Sequence, residues 1–248
     1  MTPIDIFMTS WLRPEFTQRS IEHIVDRTTT GTYKIHVLDN QSSVRTRDPL
    51  LRMLDSGVIS SVTLHSQNTR CLWGKAVFHA MVPSASPYYV VTDNDVLPPK
   101  LEGKDWLQRM VDIMDAKEEI AFLTPQLPPT WLQEPFAADE SVVYCKAVGN
   151  TFKMVRREAY PEGRYEQSME KFGDDGMVSQ LSRESGWKVA FCRDIFCLHL
   201  GQTDNWGYES EEIAMDPRKA GYGPPFRYTP EDTNTFRPPA EHIFTVRN

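Results

Sequence analysis

Along the first 200 residues, short apolar runs of strand length alternate with stretches of helical period, and most of the apolar runs stop at a cluster of polar residues. That alternation constrains the fold most. Ile4–Met8 reads as a strand, and Pro14 suits the first turn of the helix that follows, where its missing N–H is no loss. Ile21, Ile24, Val25 and Thr28 fall at helical spacing, and Gly31 ends the run. Tyr33–Leu38, Val58–Leu64 and Tyr88–Thr92 read as further strands, with a helix over Gly74–Met81 between the last two. Alternating units of this kind predict an α/β fold with a largely parallel sheet, and such sheets bind ligands beyond the carboxyl ends of their strands. Thr9–Arg13, Asp39-Asn40, Asn68–Arg70 and Asp93–Asp95 all stand at those ends, although loops are polar in any case.

The second half is less regular. Asp105 is a good N-cap for a helix carrying Trp106, Met110, Ile113 and Met114 on one face. Ile120–Thr124 reads as a strand, Pro125–Pro135 as a Pro-rich loop with Trp131, and Val142–Val148 and Thr151–Val155 as extended. Asp174–Ser185 reads as a helix ended by Gly186, with Lys188–Cys192 and Ile195–Leu200 as closing strands. The last 44 residues hold 6 of the 18 prolines and no convincing period, so they read as an extended tail.

Composition removes several classes. The charge sum, 27 − 34 = −7, argues against broad nucleic-acid binding, which needs a basic face. No apolar stretch approaches the roughly 18 residues of a membrane span. The N-terminus lacks a basic region followed by an apolar one, so no signal peptide is read. The expected location is cytoplasmic, with a peripheral place at the inner membrane surface left open. Cys71, Cys145, Cys192 and Cys197 form no CxxC pair and read as reduced thiols.

Four groups could carry chemistry. Asp93 and Asp95 flank one residue at a strand end, and extended chain would project both carboxylates to one side. Hard oxygen ligands so placed suit Mg²⁺ or Mn²⁺ shared with substrate phosphates. A chain with 17 Asp contains roughly one Asp-x-Asp by chance, so the alternative is a solvated turn. His199, in the apolar run before Gly201, is a metal ligand or a buried core histidine. Asp174-Asp175 opens a helix, where the macrodipole favours carboxylates and a general base could also sit. Arg13, Arg70 and Lys75 are candidate phosphate contacts or plain surface charges. GxGxxG, Walker A, GxSxG and HExxH motifs are all missing.

Taken in order, IDIFMTSWLRP, KIHVLDNQSS, YYVVTDNDVLPP, GNTFKMVRREAYPEGRY, FGDDGMVSQLSRESGWKV and CLHLG resemble the family 2 GT-A glycosyltransferases, from about Ile4 to Gly201. The resemblance implies a GT-A domain over residues 1–203, with a nucleotide-sugar half (1–97) and an acceptor half (98–203), followed by a tail or lid over 204–248. It implies an inverting transfer from a nucleotide-diphosphate sugar, UDP favoured over GDP, to a glycan or other hydroxyl acceptor. Asp95 and His199 would bind Mn²⁺ or Mg²⁺ directly, and Asp93 directly or through water or the ribose. Asp39 would accept the nucleobase N–H. Thr9, Arg13, Asn68, Lys75 and Asn94 would line the nucleotide. Asp175 would be the base and Asp174 would orient the acceptor. Asn150, Trp131 and Trp206 are lid or acceptor candidates. Asp174 stands where the family has Glu, and Arg70 where it commonly has Gly. Two rival readings are a non-catalytic nucleotide-sugar or glycan-binding module and a nucleotidyltransferase. The latter would need a Gly-rich basic loop where this chain has Ser10–Arg13.

Overall fold

The computed structural model describes residues 2–29, 32–40, 42–64, 84–127, 133–149, 151–160, 174–200 and 244–247. The elements are β1 (Ile4–Ser10), α1 (Pro14–Arg27), β2 (Tyr33–Asp39), α2 (Val44–Asp55), β3 (Ser61–Leu64), β4 (Tyr88–Asp93), β5 (Val96–Leu97), α3 (Trp106–Ala116), β6 (Ile120–Gln126), β7 (Gln133–Ala138), β8 (Val142–Ala147), β9 (Phe152–Arg156), α4 (Asp174–Glu184), β10 (Lys188–Phe196), β11 (Leu198–His199) and β12 (Phe244–Arg247).

The main sheet has the order β12-β3-β2-β1-β4-β9-β6-β10-β8-β7. Strands β3, β2, β1 and β4 are parallel neighbours, as the alternation predicts. β9 is inserted antiparallel between β4 and β6, which restores the common direction for β6 and β10. Helices cover both faces. Ile21 and Ile24 of α1, Leu50 and Leu54 of α2, and Trp106, Met110 and Met114 of α3 pack with Ile6, Met8, Val37 and Val90. On the other face, Val178 and Leu181 of α4 join Phe7, Tyr89, Val91 and Phe122. Each large apolar side chain buried in this way contributes about 2 kcal/mol. β1 is buried along its whole length, which is why it reads as a continuous apolar run.

Local chemistry accounts for the helix ends. Asp105 caps α3 by accepting the Gln108 N–H at 2.9 Å, and its second oxygen accepts Thr29 N–H at 2.6 Å. Gly186 stops the run after α4 at φ +90°, a conformation that favours glycine.

Several expectations need correction. Val25 is 41% exposed, and Thr17 and Ser20 lie on the buried face of α1 instead. The third strand begins only at Ser61, because residues 56–60 form the turn after α2. The Pro-rich loop is shorter than Pro125–Pro135, since β6 runs to Gln126 and β7 starts at Gln133. β10 is one strand to Phe196, with a register shift against β6 between Phe191 and Phe196, and Leu198-His199 is a separate short strand. α2 was not foreseen, nor was β12, which pairs antiparallel with β3 at the sheet edge. The expected helix over Gly74–Met81 lies outside the described residues, as do Gly31 and residues 201–243, which include most of the tail. No helix among the described residues is long and apolar enough to cross a membrane.

Candidate active site at the carboxyl ends of the strands

Strand register brings the predicted residues together. Thr9 stands opposite Asp93 across β1 and β4, and Ser10 opposite Asp39 across β1 and β2. The Thr9 hydroxyl donates to Asp93 Oδ1 at 3.1 Å. The chain turns at Asn94-Asp95 instead of staying extended, so the two carboxylates diverge in their partners. Asp95 Oδ2 meets Arg13 Nη1 at 2.7 Å and His199 Nε2 at 3.1 Å. A two-stranded sheet makes the second contact possible. β11 pairs antiparallel with β5, His199 opposite Val96, and Leu200 N–H donates to Asp95 O at 2.7 Å.

Asp93, Asp95 and His199 are all buried. Burial alone would raise the Asp95 pKa. The Arg13 guanidinium and the His199 ring outweigh that effect and hold the carboxyl well below its ordinary range, so Asp95 is ionised.

The loop after β1 is strained. Leu12 (φ +54°) and Arg13 (φ +55°) are both left-handed without being glycine, at roughly 1–2 kcal/mol each. Neighbours hold them there. Leu12 N–H donates to Ser42 Oγ at 2.8 Å, Asn94 Nδ2 donates to Leu12 O at 3.4 Å, and Thr17 N–H donates to Arg13 O at 3.0 Å. Arg13 Nη2 also donates to Asn94 Oδ1 at 2.5 Å. The Arg13 side chain is therefore turned inward onto the Asp-Asn-Asp segment.

Asp39, fully buried at the end of β2, accepts Ser42 N–H at 3.1 Å and Arg47 Nε at 2.9 Å through Oδ2. Its Oδ1 has no hydrogen-bond partner among the described residues. Burial pushes the Asp39 carboxyl up, against the opposing pull of Ser42 and Arg47.

Asp174 and Asp175 are the first residues of α4. Ser179 in that helix accepts Val148 N–H at 3.2 Å, and Thr151 O in the same region of chain accepts Asp93 N–H at 2.8 Å. The middle of α4 is thus tied to Val148, three residues before the Thr151 that fastens Asp93. Asn68, Lys75, Trp131, Asn150 and Trp206, like Arg70, lie outside the described residues.

Sequence reasoning missed three contributors and one buried charge. Thr17 accepts Asn94 Nδ2 at 2.7 Å, and Ser20 donates to Asn94 O at 3.0 Å. Their signal was two polar residues beside Ile21 and Ile24 on a stripe meant for the core. Ser42 ties the β1 loop to Asp39. Lys153, a charged residue within the apolar strand β9, is buried with Nζ 4.5 Å from the centre of the Phe122 ring.

Among the described residues, no three His, Cys, Asp or Glu side chains gather as a metal cluster. Asp95 and His199 nonetheless suit a divalent ion as a pair. Asp95 Oδ1 is buried with no hydrogen-bond partner among the described residues, and the imidazole nitrogen lies beside the same carboxylate. Ions such as Mg²⁺ commonly take one or two protein ligands and complete their shell with phosphate oxygens and water.

The sequence matches no family model and no curated protein. Solved structures do match the fold. A GalNAc-T7 structure with UDP, GalNAc and Mn²⁺ is 11% identical, at TM-score 0.63 over 80% of this chain. A mannosyltransferase from Pyrobaculum calidifontis with GDP-Man and Mn²⁺ is 12% identical, at TM-score 0.58 over 88%. TarS from S. aureus with UDP-GlcNAc is 10% identical, at TM-score 0.56 over 86%. The chain spans 44%, 61% and 60% of those three chains, respectively. Its fold is the GT-A fold of nucleotide-sugar glycosyltransferases.

Proposed function

We propose that this chain is a divalent-metal-assisted glycosyltransferase that moves a sugar from a nucleotide-diphosphate donor, UDP favoured over GDP, to a hydroxyl acceptor with inversion. The observation that carries this reading is the convergence of Asp95 and His199. They are 104 residues apart in sequence, and the two-residue pairing of β5 with β11 brings them to 3.1 Å beyond the carboxyl ends of the parallel strands.

Asp39 Oδ1 accepts the ring N–H of the base, since a carboxylate can only accept. Thr9 and Asp93, joined to each other, face the ribose side, with Asp93 acting directly or through water. Asp95 and His199 would hold the ion. When bound, Mn²⁺ or Mg²⁺ stabilises charge on the departing nucleoside diphosphate. Asp175 takes the acceptor proton as that oxygen attacks, and Asp174 orients the acceptor. Attack from the side opposite the leaving group inverts the anomeric carbon. Asn68, Lys75 and Asn94 belong to the nucleotide side in this reading, and Asn150, Trp131 and Trp206 to the acceptor side or lid. The mannosyltransferase, GalNAc-T7 and TarS structures support it through their bound GDP-Man, UDP with GalNAc, and UDP-GlcNAc, and the first two through Mn²⁺.

Calorimetry with UDP and GDP in the presence of Mn²⁺ tests the donor site. One of the two binds, and Asp39→Asn weakens it about tenfold, the magnitude of one lost charged hydrogen bond. Equal affinity in the folded variant removes Asp39 from the nucleobase site.

A further inference from the structure

The Arg13 guanidinium is engaged by acceptors of the protein itself, 2.7 Å from Asp95 Oδ2 and 2.5 Å from Asn94 Oδ1. Two successive left-handed residues turn it inward, and Ser42, Thr17 and Asn94 hold that turn. Strain of this kind persists only where the surroundings impose it.

We propose that Arg13 is a resident counter-cation of the metal site. It keeps Asp95 Oδ2 occupied and leaves Oδ1 as the ligand atom, so that a divalent ion binds together with the nucleoside diphosphate and not ahead of it. The proposal rests on the metal-assisted reading above. Among the described residues, Asp93, Asp95 and Arg13 sum to a charge of −1. A site of that charge, with a fixed cation beside the ion's place, holds Mn²⁺ weakly. The diphosphate supplies both the missing negative charge and the missing oxygen ligands. Arg13 acts through Asp95 and is a positioning residue.

Mn²⁺ titration of the full chain, followed by electron paramagnetic resonance with and without saturating UDP (or GDP, whichever binds), tests this. Wild type binds Mn²⁺ at least about tenfold more tightly with nucleotide than without it. Arg13→Met, with its fold checked by thermal melting, raises the affinity for Mn²⁺ alone about tenfold, because a repelling charge has gone. Arg13→Lys keeps the wild-type pattern. A merely structural role would weaken metal binding in Arg13→Met, so the direction of the change is decisive. If Arg13→Met does not fold, Asn94→Asp adds a negative charge at the same place and raises the affinity for Mn²⁺ alone. A folded variant that binds the free ion no more tightly than wild type overturns the proposal. Equal Mn²⁺ affinity of wild type with and without nucleotide overturns it alone, while no Mn²⁺ uptake even with nucleotide overturns the metal-assisted reading with it.

Discussion

Asp175→Asn is expected to lower glycosyl transfer by about a thousandfold while leaving donor affinity within about twofold of wild type. The amide keeps the size of the carboxylate but cannot take a proton from the acceptor hydroxyl. Among the described residues, donor contacts in this account come from the ends of β1, β2 and β4 and from β11, none of which includes residue 175. Stability should change little. α4 is held by Val178 and Leu181 in the core and by Ser179 against Val148, and loss of one carboxylate at its first turn costs under about 1 kcal/mol. Asp174→Asn is the control. It should impair acceptor use, seen as a raised acceptor KM, with a smaller loss of kcat. If Asp174→Asn shows the thousandfold loss and Asp175→Asn does not, the two roles are exchanged.

Asp95→Ala should have the largest effect on the folded state. It leaves the Arg13 guanidinium buried without its carboxylate, and breaking a buried pair from one side costs about 3–5 kcal/mol. The bond from Arg13 Nη2 to Asn94 Oδ1 is to a neutral acceptor and does not replace the charge of the carboxylate. For a chain of this length the expected fall in Tm is about 10 °C. Asp95→Asn is the gentler variant: it keeps an acceptor for Arg13 and should fold, yet it should lose Mn²⁺-dependent nucleotide binding. Retention of that binding by folded Asp95→Asn would remove Asp95 from the metal site.

The parallel half of the sheet was legible because β1, β2 and β4 are buried along most or all of their length and read as apolar runs closed by polar ends. α3 was legible from its cap and its stripe, and α4 from its closing glycine. α2 was not, because Pro49 and five charged residues obscure a buried face made only of Thr46, Leu50 and Leu54. β12 could not be read, since a four-residue strand so far from its partner is defined by pairing with β3 and not by its own pattern.

The candidate site divides in the same way. Residue types and spacing marked Asp93, Asp95, Asp39 and His199, and strand register then brings Thr9 to Asp93 and His199 to Asp95. The direction of Arg13 had no signal in sequence. It follows from two left-handed residues that are neither Gly nor Asn, held by contacts from Ser42 and Asn94 that are distant along the chain. Likewise, spacing alone suggested that Asp93 and Asp95 share one side, and the turn at Asn94 gives them separate partners.

A thermal-shift screen of nucleotide sugars, with Mn²⁺ and with chelator, tests the central claim most directly. The account predicts that one UDP- or GDP-sugar at a hundred times its Kd raises Tm by roughly 5 °C with Mn²⁺, and by much less with chelator. No shift from any nucleotide sugar at millimolar concentration, or the same shift in both conditions, would contradict a metal-assisted nucleotide-sugar site.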